Sequence, residues 1–122
     1  MKKKQPFSWK ARGRSFGYAW QGLLDFFLAE PNALLHALTT VAVTVLILFF
    51  RISGGELLAL VAVTGLVWIT ELLNSAVEKM MDLVSPEWHP KVKYIKDVAA
   101  AAVLVAAGTA LLTGCLVFIP KL

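Results

Sequence analysis

The spacing of apolar and polar positions divides the chain into one amphipathic and three apolar segments. From Ser8 to about Leu28, Trp9, Phe16, Trp20, Leu23 and Phe27 recur at helical spacing while Lys10, Arg14, Gln21 and Asp25 take another side. That pattern predicts an amphipathic helix too polar to cross a bilayer, lying along its surface with aromatic and basic residues at headgroup level. Gly13, Gly17 and Gly22 weaken its intrinsic propensity, so lipid or neighbouring helices are expected to hold it. Glu30-Pro31-Asn32 breaks the pattern, because proline pushes the residue before it out of helical geometry. Ala33 to Phe50 is a nearly uncharged run, at about 18 residues the minimum for a span. Its one titratable side chain is His36.

Arg51-Ile52-Ser53-Gly54-Gly55-Glu56 reads as a short hairpin. The next helix, Leu57 to about Val84, would be about 42 Å long, more than a hydrocarbon core of about 30 Å, so its last turns must emerge from the bilayer. Ser85 to Pro90 reads as a loop closed at both ends by proline, Lys91 to Lys96 is basic, and Val98 to Ile119 is a third span. The expected architecture is all-α and membrane-integral: a surface-helix segment over 1–31 and a three-helix transmembrane domain over 32–122, with spans about 33–50, 57–84 and 97–119. In the third span Ala102, Ala106, Ala110 and Gly114 recur every four residues, a small-residue ladder for close helix approach.

The middle helix carries the polar feature around which the rest is arranged. Glu71, Asn74, Glu78 and Asp82 fall on one stripe, with Ser75 beside them, while Leu72, Leu73, Ala76, Val77, Met80, Leu83 and Val84 form the opposite face. A carboxylate at mid-membrane costs about 2.5 to 3.5 kcal/mol, so these acids must lie near the interface, pair, or bind a cation. The plain alternatives are interhelical hydrogen bonding for Asn74 and Ser75 and structural pairing of Glu71 and Glu78 with Lys96 or Arg14. The chemical reading is sharper. Mg²⁺ takes one or two carboxylates plus substrate phosphates, which suits Glu78 with an acid from elsewhere such as Glu30. Glu71, deeper in the span, would meet a lipid hydroxyl and could take its proton.

Composition supports a membrane protein. Of 122 residues, 58% are apolar, and the mean hydropathy of +0.71 is too high for a soluble domain of this size. The net charge of +4 would suit nucleic acid, but the basic residues sit beside the apolar spans, where an anionic membrane surface explains them and no nucleic-acid partner is expected. Lys2, Lys3, Lys4, Lys10, Arg12 and Arg14 fall on the same side as Lys91, Lys93 and Lys96, against Arg51 and Lys121 on the other. The positive-inside rule then puts the surface helix, the acidic stripe and the second loop in the cytoplasm. Cys115 has no partner in the chain, and no removable signal peptide, phosphate-binding glycine loop or zinc spacing is expected. Lys96-Asp97 could hold phosphate or form an interfacial pair, and Glu87 and His89 could touch a polar ligand or simply be solvated.

Glu71-Leu72-Leu73-Asn74-Ser75-Ala76-Val77-Glu78, then Asp82, then Lys96-Asp97 ahead of an alanine-rich span, resembles the signature of the prokaryotic diacylglycerol kinase and undecaprenol kinase family. Gly17-Tyr18-Ala19-Trp20-Gln21-Gly22-Leu23 is similar to that family's surface-helix motif, and Glu30 to its acid before the first span. The resemblance implies a homotrimeric kinase of the bacterial inner membrane with sites shared between subunits, using ATP and Mg²⁺ to phosphorylate a lipid alcohol. It implies Glu71 as general base with Asn74 in the catalytic site, and Glu30 and Glu78 as metal ligands. Arg14, Tyr18, Glu30, Glu78, Glu87, Trp88, His89, Lys96 and Asp97 would contact ATP, and Phe16, Trp20, Asn32 and His36 the lipid.

Two departures bear on the acceptor. Ala11 stands where diacylglycerol-type members carry an arginine on the nucleotide, leaving Arg12 or Arg14 to substitute. His36 stands where they carry an acid; with His89-Pro90 and the C-terminal Ile119-Pro120-Lys121-Leu122 it is closer to the undecaprenol-type branch. Two rival readings share the same features: a small oligomeric ion or proton translocator, and a non-catalytic membrane subunit.

Overall fold

The structure, a computed structural model, describes residues 3–4 and 6–122. Lys2, counted above in the basic N-terminal cluster, lies outside them. All the regular structure described is helical: α1 (Trp9–Ala29), α2 (Pro31–Phe49), α3 (Gly54–Val84), α4 (Pro90–Phe118) and a closing 3-10 turn, Ile119–Lys121. Among the described residues α2, α3 and α4, the last continued to Lys121, are long and apolar enough to cross a membrane. The chain divides into two compact units, one ending at Leu34 and the other Leu35–Leu122.

In the first unit the side chain of Ser8 accepts the Ala11 N–H at 3.4 Å and starts α1. The helix stops at Glu30, whose backbone is extended (φ −101°, ψ 120°) and whose N–H returns to the Phe26 carbonyl. Pro31 immediately begins α2, where its missing N–H costs nothing. The expected break is therefore a single residue. On α1 the aromatic stripe is mostly exposed, with Trp9, Phe16 and Trp20 open, and the buried side chain is Phe26, which the stripe did not include.

In the second unit α2 ends in a Schellman motif, with the Ile52 N–H on the Ile47 carbonyl (3.0 Å) and the Arg51 N–H on the Leu48 carbonyl (3.3 Å). Arg51 takes the left-handed conformation usually given to glycine, φ 52°. Ile52 then packs with Leu60 and Val117, supported by Ile47, Phe50, Leu57 and Phe118, closing this end of the helices. Lys121 pairs with Glu56 of the first α3 turn at 3.2 Å on the same end. Arg51→Gly should stabilise the turn by about 0.5–1 kcal/mol, read as a higher thermal midpoint in detergent, because the strain of a side chain at positive φ disappears.

Pro90 is not the end of a loop, as the sequence pattern had it, but the first residue of α4, so this helix begins seven residues before the expected span. His89 explains it: the ring Nδ1 accepts the Lys91 N–H at 3.1 Å, satisfying a donor that a helix start leaves unpaired. α3 likewise starts at Gly54 rather than Leu57. Its 31 residues span about 46 Å.

α3 lies closely along α4. Ala106, 2% exposed, is the buried rung of the small-residue ladder. At Gly114 no close approach is made within this chain, since an added Cβ there would meet nothing within 4 Å, which leaves packing between chains as the other use of the ladder. A cavity of about 510 Å³ lies between α2, α3 and α4, bounded by residues such as His36, Thr40, Trp68, Ala110, Gly114 and Phe118. Threonines in the spans satisfy their hydroxyls on carbonyls one turn back, Thr39 on Leu35, Thr44 on Thr40 and Thr113 on Thr109, which removes the cost of an unpaired polar group in lipid.

Candidate active site

The polar stripe of α3 faces protein and the apolar face is turned out. Glu71 is 8% exposed, whereas Leu73, Met80, Leu83 and Val84 are open to the surroundings. Burying a carboxylate requires a partner. It comes from α2: His36 Nε2 stands 2.7 Å from Glu71 Oε1, within hydrogen-bond distance of the carboxyl group. Of the structural partners the sequence offered for Glu71, Lys96 is not the one it meets. Lys96 instead reaches Asp82, 2.6 Å away across the α3–α4 contact.

One turn along the stripe, Asn74 Oδ1 is buried and makes no hydrogen bond among the described residues. A further turn on, Glu78 is half-buried, with neither an ion pair nor a hydrogen bond among the described residues. An orphaned buried oxygen costs about 1–3 kcal/mol unless something completes it. Two unpartnered oxygen donors at i and i+4 fit a hard divalent cation such as Mg²⁺, which prefers oxygen ligands and needs few from protein when phosphate supplies the rest. Among the described residues no three His, Cys, Asp or Glu gather into a complete metal site.

The α3–α4 turn forms a second feature, a cleft of about 340 Å³. It gathers Glu87, Trp88, His89, Lys96 and Asp97, all expected from the sequence to meet nucleotide, and adds Asp82 and Lys93. Two constraints narrow its chemistry. His89 spends Nδ1 on its helix cap, leaving Nε2 for a ligand. Both lysines are paired, Lys93 with Asp97 and Lys96 with Asp82, rather than Lys96 with Asp97. These pairs are exposed and so worth about 0–1 kcal/mol each, little for an incoming phosphate to displace. Lys93 escaped the sequence reading, although its i,i+4 spacing to Asp97 was a visible signal.

The remaining expected residues belong to the first unit. Arg14 and Tyr18 are exposed one turn apart on α1, as are Phe16 and Trp20. Glu30 is half-exposed at the break, and Asn32 is exposed in the first turn of α2.

A profile of the family described as prokaryotic diacylglycerol kinase matches residues 17–118. The chain belongs to that family. The matched stretch holds α2, α3 and α4 whole, with both the buried stripe and the cleft. A Synechocystis protein named diacylglycerol kinase is 38% identical over 109 residues, 88% of this chain, which spans 62% of that relative's length. An undecaprenol kinase of Bacillus subtilis is 35% identical over 109 residues, 89% of each chain. The Escherichia coli K12 diacylglycerol kinase is 29% identical over 103 residues, 84% of each. Membership of this family makes the chain a membrane-embedded lipid kinase.

Proposed function

We propose that the chain transfers the γ-phosphate of ATP to the hydroxyl of a membrane lipid alcohol at the cytoplasmic face of a bacterial inner membrane, in a Mg²⁺-dependent reaction. The observation that carries the proposal is the inward-facing row on α3: a buried, hydrogen-bonded carboxyl group at Glu71 and, with no hydrogen-bond or ion-pair partner among the described residues, the amide oxygen of Asn74 and the carboxylate of Glu78. The hydroxyl oxygen attacks the γ-phosphorus, the bond to the ADP oxygen breaks, and Glu71 takes the hydroxyl proton. Mg²⁺, when held there, would supply neutralisation of charge on the transferring phosphate. Glu78, with Asn74 and with Glu30 of the first unit, would hold it. Lys96 and Lys93 exchange their aspartates for phosphate oxygens, and Trp88, Glu87 and His89 line the place of the base and ribose. Arg14 and Tyr18 complete the nucleotide contacts, while Phe16, Trp20 and Asn32 face the lipid.

One chain offers few polar groups to surround a magnesium nucleotide, which supports a homotrimer with composite sites. Lys96→Ala should raise the KM for ATP about tenfold, since one charge-assisted phosphate contact is lost, with a much smaller change in kcat or thermal midpoint. The acceptor is tested by offering diacylglycerol and undecaprenol side by side in mixed micelles with ATP labelled on its γ-phosphate. Label in an extracted lipid supports the reading, with undecaprenol expected to be the better acceptor. No label in either, with proton flux through vesicles holding the protein, would favour a translocator.

A further inference from the structure

We infer that His36 is the positioning residue of the Glu71 carboxylate, and that it acts through this bond rather than by touching the lipid. The inference rests on the kinase reading in which Glu71 receives the hydroxyl proton. His36 is the only ionisable side chain on α2, and its Nε2 lies 2.7 Å from one carboxylate oxygen, Oε1. The second oxygen, Oε2, is left for the acceptor hydroxyl. A carboxylate held by one N–H can present its other lone pairs in a fixed direction, which is what proton abstraction within hydrogen-bond reach requires.

His36 is itself fixed. Trp68 Nε1–H donates to Thr40 Oγ1 at 2.9 Å, and the Thr40 hydroxyl donates to the His36 carbonyl at 2.7 Å. The Trp68 ring also lies against the imidazole, centroids 6.0 Å apart and planes tilted by 59°. This chain of contacts ties α2 to α3 one turn below Glu71. Among the described residues no other cation pairs with Glu71. Of the charged groups on α3, Glu78 lies two turns away and is of the same sign as Glu71. The α4 wall of the adjoining cavity carries no ionisable group but the Cys115 thiol.

The test compares His36→Leu, which removes the donor, with His36→Gln, whose amide N–H falls near the imidazole Nε2. His36→Leu should lower kcat about 10- to 100-fold at saturating lipid and ATP, the loss expected for one hydrogen bond to a charged group, with KM for the lipid nearly unchanged. His36→Gln should restore most of kcat, and its pH–rate profile should lack the ionisation contributed by the imidazole. Unchanged kcat with a raised lipid KM in His36→Leu would overturn the inference and make His36 a lipid contact. Should the wild-type protein label no lipid alcohol, the kinase reading fails separately. The imidazole nitrogen NMR shifts of His36 still decide the pairing, since identical titration in wild type and Glu71→Gln would overturn it.

Discussion

Glu71→Gln is expected to lower kcat at least about 100-fold while leaving the affinity for magnesium nucleotide close to that of the wild type. The amide keeps the size of the carboxylate and carries both a donor and an acceptor for His36 Nε2, so the α2–α3 connection survives in either tautomer. What disappears is the basic oxygen that takes the hydroxyl proton. The nucleotide groups are untouched, because Lys96, Asp97, Trp88 and His89 lie in the α3–α4 cleft, away from this bond. Steady-state kinetics on a lipid acceptor, with nucleotide binding measured separately on the same preparation, checks both halves. An equal loss of binding and turnover would make Glu71 a structural acid instead.

Glu78→Gln should act differently. Its carboxylate has no partner among the described residues, so replacing it removes an uncompensated charge from a half-buried position and should leave the thermal midpoint equal or higher. Nucleotide binding, by contrast, should become at least about tenfold weaker at moderate Mg²⁺, since a neutral amide is a poor ligand for a hard cation. A variant that is more stable and less able to bind is hard to explain if Glu78 serves only to join helices. Calorimetric titration of nucleotide at several Mg²⁺ concentrations measures this directly.

The helices were legible in the sequence wherever a backbone rule governed them. Pro31 after Glu30 and the glycines after Arg51 mark their breaks through dihedral limits that act locally. Pro90 was misread because proline both ends loops and begins helices, and only the His89 ring on the Lys91 amide distinguishes the two. The acidic stripe could be read from its period of 3.6, including the face it shares with Asn74. Its pairings could not: Glu71 meets His36, 35 positions away, and Asp82 meets Lys96, 14 positions away. Periodicity along one helix says nothing about which neighbour it meets. The cavity beside His36 was equally hidden, because its walls come from three helices far apart in the chain, among them a glycine that the pattern assigned to close packing.

In the proposed reaction, proton removal and cation holding fall to separate residues, Glu71 and Glu78, two turns apart on one helix face. A Mg²⁺ titration of lipid phosphorylation, run in parallel on the wild type, Glu71→Gln and Glu78→Gln, tests that division most directly. Excess Mg²⁺ should restore a substantial part of the Glu78→Gln rate and none of the Glu71→Gln rate. Recovery of both variants, or indifference of both to the metal, would contradict it.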